Sequence, residues 1–83
     1  MINNTELERV VFKNTFTSDG ITLEPVYINI RLDLTLVVAY GNYVNSTTGS
    51  ISTDITEVFV QGLLTPIYIK MNYSAFHNLI QAL

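Results

Sequence analysis

EPVYINIRLDLTLVVAY, residues 24 to 40, is the stretch on which the fold turns. From Val26 every even position is apolar or aromatic: Val26, Ile28, Ile30, Leu32, Leu34, Leu36, Val38 and Tyr40. The odd positions carry Tyr27, Asn29, Arg31, Asp33 and Thr35, then turn apolar at Val37 and Ala39. A period of two is the signature of a β-strand with one buried face, because successive side chains point to opposite sides. Read as one strand, residues 26–40 would span about 50 Å at ~3.3 Å per residue. A compact domain of this chain's length has a radius of gyration of ~12 Å and is roughly 30 Å across. The segment must therefore bend, coil across two layers, or project and be covered by a neighbour.

The flanking sequence supplies the rest of an antiparallel sheet. Leu7 to Phe16 reads as a first strand, with Val10, Phe12 and Phe16 on one face and Arg9, Val11 and Lys13 on the other. Thr17-Ser18-Asp19-Gly20 is a tight turn in which Asp-Gly provides the positive φ that a hairpin needs. Pro25 suits the start or edge of a strand, where its missing N–H costs no ladder bond. Gly41-Asn42 could turn the chain, but the pattern favours a strand that runs on to Val44 and a loop over 45–50. Ile51 to Gln61 is the next strand, and its change of apolar phase predicts a bulge near Thr56-Glu57. Gln61 to Pro66 turns the chain into a last strand in which Ile67, Ile69 and Met71 alternate with Tyr68 and Lys70.

At the C-terminus the period changes. Phe76, Leu79, Ile80 and Leu83 fall at i, i+3, i+4 and i+7, an amphipathic helix over 73–82 with Asn72 or Ser74 as its cap. So short a helix is unstable alone and must dock on the sheet. The expected fold is mainly antiparallel β, four or five strands curled towards a sandwich or barrel, with one short C-terminal helix. Residues 1–6 are expected to form a flexible tail and 7–83 a single domain.

Composition narrows the function. Charged residues make up 13% of the 83-residue chain, against roughly 25% in ordinary globular proteins. The cations Arg9, Lys13, Arg31 and Lys70 are scattered and the net charge is −3, so the basic cluster that displaces counterions from phosphates is missing. Nucleic acid is thus not an expected partner. No apolar run reaches the ~18–20 residues of a membrane span, and MINNTELERVVF has no basic start with an apolar core, so no signal peptide is expected. Absence of cysteine excludes disulfide and thiolate staples. A core this small then makes a second copy of the chain the common remaining means of burial.

No spacing of chemistry-bearing residues points to an enzyme, a metal or a cofactor. His77 is the one histidine and is expected on the solvated face of the helix. Arg31 and Asp33, two apart on one strand face, are expected to meet as a surface pair. The carboxylates show no calcium-loop spacing. Tyrosine is the informative set, because it buries a large ring at low entropic cost and keeps a hydroxyl bonded. Tyr27, Asn29, Arg31, Tyr40, Tyr43 and Tyr68 are the expected protein-contact residues. The functional expectation is a non-enzymatic structural subunit that contacts itself or other protein subunits. A minor capsid, cement or connector protein of a virus or phage particle is the kind meant, which would place it in a virion. The alternative is a small acidic binding or inhibitory protein that adds an edge strand to a partner's sheet.

Overall fold

The computed structural model describes residues 4–45 and 48–83. Five strands and one helix follow in chain order: β1 (Asn4–Thr17), β2 (Gly20–Asp33), β3 (Val37–Val44), β4 (Ile51–Val60), β5 (Ile67–Ile69) and α1 (Tyr73–Gln81). The strands form one open antiparallel sheet in the order β2-β1-β5-β4-β3. β1 and β2 pair along their whole length, from Asn4↔Asp33 to Thr17↔Gly20 around the Ser18-Asp19 turn. The positive φ of that turn, +128°, falls on Gly20.

The single strand expected over 26–40 is two. It breaks at Leu34–Leu36, one turn of 3-10 helix, because Asp33 caps the turn. Its Oδ1 accepts from the Thr35 amide at 3.0 Å and from the Thr35 hydroxyl at 2.6 Å. The even-position alternation ends at the break: Leu34 is buried, but Leu36 and Val38 are exposed and Val37 packs against the core in their place. β3 then continues through Gly41-Asn42 to Val44, as the pattern favours. The body is also less compact than chain length predicts: it measures 50 × 21 × 21 Å with a radius of gyration of 14.0 Å.

Strand register reveals a saddle. Asp33 sits opposite Asn4, five residues below the Arg9–Ile69–Thr56 row, whereas Val37 sits opposite Val60, four residues above it. In a flat sheet those corners would lie about 30 Å apart along the strands and roughly 19 Å across them. Three residues reach from one to the other, at most ~14 Å. The sheet must curl until these diagonal corners meet, and the core fills that concavity. Leu7, Leu32, Leu34, Val58, Val60, Ile67 and Ile69 pack there with Phe76 of α1. We call this the helix face.

Two further expectations change, the tail and the end of the helix, and the bulge is placed more closely. β1 starts at Asn4, so residues 4–6 of the expected tail are paired; residues 1–3 lie outside the described residues. The bulge expected near Thr56-Glu57 falls just before it: Asn42 pairs with Thr56 but Val44 with Ile51, so the register shifts across residues 52–55 of β4, and a second shift lies at Val37/Ala39. Beyond that shift Thr56 takes a fully buried position on the helix face and donates its hydroxyl to the Met71 carbonyl at 2.8 Å. Ser46 and Thr47 of the expected loop also lie outside the described residues. Helix α1 ends at Gln81, and Asn72 caps it by accepting from the Ala75 amide at 2.8 Å.

Candidate interaction surface

Opposite the helix face is an open face that carries a second apolar unit. Val10, almost fully buried, belongs to it and not to the main core. Phe12 stacks on Tyr43 with ring centroids 5.4 Å apart, and both meet the edge of Tyr68, at 5.9 and 4.9 Å. β1 and β3 are three places apart in the sheet, about 14 Å if it were flat. Their rings touch because the saddle is concave on this face along its other diagonal. Burial first, then the Glu57 carboxylate, then Tyr43 push the Tyr68 phenol above its ordinary pKa.

From this cluster the open face continues out along the β1–β2 arm. The paired positions Phe12↔Pro25, Asn14↔Leu23 and Phe16↔Ile21 share that face. Phe16 is 79% exposed, Ile21 65% and Leu23 56%, so the arm carries its apolar strip uncovered to the tip. A groove of about 420 Å³ lies against it, lined by Phe12, Ile21, Leu23 and Tyr43 together with the polar Thr22, Asn45 and Thr48. Such a groove excludes water from an inserted side chain but offers no ionised group for chemistry.

The six expected contact residues fall into three places. Tyr43 and Tyr68 come together in the aromatic cluster. Tyr27, Asn29 and Arg31 line up on the open face of β2, an edge strand of the sheet. Tyr27 is half exposed with the Lys70 ammonium 5.8 Å from its ring centre, and Asn29 is exposed. Arg31 faces Glu6 across the strands at 3.9 Å, a pair mostly in water. This replaces the expected Arg31–Asp33 pair, because Asp33 is committed to the Thr35 turn.

Tyr40 alone lies on the helix face. Its ring packs against Tyr73 and Phe76, and its hydroxyl is 2.6 Å from His77 Nδ1. His77 is therefore no solvated side chain: it is half-buried and also stacks on Tyr73 at 5.9 Å. Removing the hydroxyl with Tyr40→Phe leaves the ring packed but Nδ1 unpaired. The expected cost is about 1 kcal/mol, or roughly 4–8 °C in Tm for a domain of this size. Tyr27→Phe should leave Tm unchanged, and thermal melts of the two variants check both.

Sequence reasoning missed Phe12, Phe16, Ile21 and Leu23 as surface residues, since alternation marks a face without saying whether anything covers it. Among the described residues no group of three His, Cys, Asp or Glu side chains is placed to hold a metal ion. No described helix is long and apolar enough to cross a membrane. No protein-family model, curated protein or solved structure matches the chain.

Proposed function

We propose that this chain is a non-enzymatic structural subunit that assembles with other protein subunits by covering the apolar strip of its β1–β2 arm. One observation carries the reading: Phe16, Ile21 and Leu23 stand more than half exposed on one face of a projecting arm, continuous with an aromatic cluster. Large exposed apolar patches mark contact sites, because burying them gives about 25 cal/mol per Å². The low charge supports it, as little repulsion keeps copies apart. A minor capsid, cement or connector component of a virus or phage particle is the role such a subunit would fill, a reading that rests on the neutral Thr/Asn/Tyr surface.

Sedimentation velocity over a range of concentrations tests it. The protein should form species larger than a dimer, and the double variant Phe16→Ser/Ile21→Ser should stop at a dimer with Tm unchanged. A protein that never exceeds a dimer, or a double variant that assembles like the parent, overturns the proposal. The second role, an inhibitor acting through an edge strand, would appear as a clean monomer or dimer.

A further inference from the structure

We infer that two copies of this chain pair antiparallel through the outer edge of β2, about a two-fold axis at Asn29. This names one partner within the assembly reading above and rests on it only for the expectation that copies meet. The direction of the edge groups follows from one hydrogen bond. The Lys70 amide donates to the Glu8 carbonyl at 2.8 Å, so Glu8 turns its polar backbone groups to the β5 side and away from β2. Its partner Asn29 must then point its own N–H and C=O outward, since paired residues in an antiparallel ladder alternate between bonded and non-bonded. The odd residues of β2, Ile21 to Asp33, therefore form the unsatisfied edge.

That edge is bounded. Pro25 occupies an outward position and removes a donor, a common device that blunts an edge. At the other end the strand stops at Asp33, where the 3-10 turn begins. The outward positions from Pro25 to Asp33 are symmetric about Asn29. Pairing there sets Asn29 against its own copy, Tyr27 against Arg31 of the second copy, and Pro25 against its Asp33. Only the proline donor is lost, and at the ladder's ends, leaving about eight interstrand bonds. On the helix face the same register sets Ile28 against Ile30 and Val26 against Leu32, apolar on apolar.

Charge favours this register too. Arg31 meets the tyrosine ring instead of another arginine, a cation–π arrangement. Moving the axis to Arg31 would oppose two guanidinium groups, and moving it to Tyr27 would put both prolines inside the ladder. Val26, Tyr27 and Ile28 are each at least 40% exposed in the single chain, so the pairing has apolar area to cover.

A chain without cysteine makes the register directly readable. Bonded pairs hold Cα atoms ~5.5 Å apart, within disulfide reach. Under mild oxidation Asn29→Cys should give a disulfide-linked dimer. Tyr27→Cys and Arg31→Cys, each four residues from its own copy, should stay unlinked alone and link when mixed. Asn29→Pro removes only outward donors, as Pro25 already does, and should weaken dimerisation about tenfold or more with Tm little changed. Failure of Asn29→Cys to link, or linkage of Tyr27→Cys alone, overturns the two-fold at Asn29. Should the edge fail while Phe16→Ser/Ile21→Ser still lowers the assembly mass, the arm proposal stands and only this pairing is lost.

Discussion

Phe76→Ala is expected to strip the protein of a large part of its stability and bring it close to unfolding at 25 °C. Phe76 is fully buried and is the residue through which α1 enters the concave side of the sheet, against Tyr40 and the β4–β5 core. Truncating a buried phenylalanine costs about 3–5 kcal/mol, because the apolar transfer energy is lost and a cavity remains. A chain of this size has a total stability of roughly 4–12 kcal/mol. A stability below about 5 kcal/mol would be exhausted by the loss, and one in the middle of the range would be cut by about half. The Asn72 cap cannot hold nine residues helical once the anchoring ring is gone. Helical circular dichroism and the urea midpoint should fall together. Leu79→Ala, at a half-buried position of the same stripe, should cost less and keep the cooperative transition. A Phe76→Ala protein with an unchanged midpoint would mean that the helix is not part of the fold.

The same residues show how much of this architecture the sequence carried. The helix stripe was legible because Phe76, Leu79 and Ile80 change period where the last strand ends. The β1–β2 turn was legible because Asp19-Gly20 has few other uses. The corner was not, since Leu36 and Val38 continue the apolar alternation in sequence although both are exposed and Val37 takes the core-facing place. Its signal was local: an aspartate two residues before a threonine, with both Thr35 donors able to reach one carboxylate oxygen. Thr56 was missed for a different reason. A threonine on a buried face looks polar to any periodicity, and only the Met71 carbonyl, fifteen residues on, explains it.

The candidate surface was half legible for a topological reason. Alternation put Tyr27 and Tyr68 on the face away from the core, where the structure has them. It could not show that β2 and β3, consecutive in the chain, are the two edges of the sheet. Tyr40 and Tyr43 look equivalent around Gly41-Asn42, yet they point to opposite faces, one under the helix and the other in the open cluster. Exposure at Phe16 and Ile21 follows from the arm outrunning β5, which has three residues to β1's fourteen. No composition or spacing encodes that difference.

Leu34→Ala tests whether the corner is held by packing or by its cap. Leu34 is 3% exposed in the core cluster, at the point where three residues join diagonal ends of the sheet. Its loss should cost about 2–5 kcal/mol, the range for leucine truncation in a core. Asp33→Ala removes one capping carboxylate from an exposed turn and should cost about 1 kcal/mol. Leu36→Ala, at an exposed position of the same turn, should cost less than either. The readout is local as well as global, because the Gln61 amide donates to the Leu36 carbonyl at 2.8 Å and ties β4 to the corner. Hydrogen exchange at Gln61 should accelerate strongly in Leu34→Ala and modestly in Asp33→Ala. If the aspartate variant proves the more damaging, the corner is set by its hydrogen bonds. The curl of the sheet would then be imposed by the turn and only filled by the core.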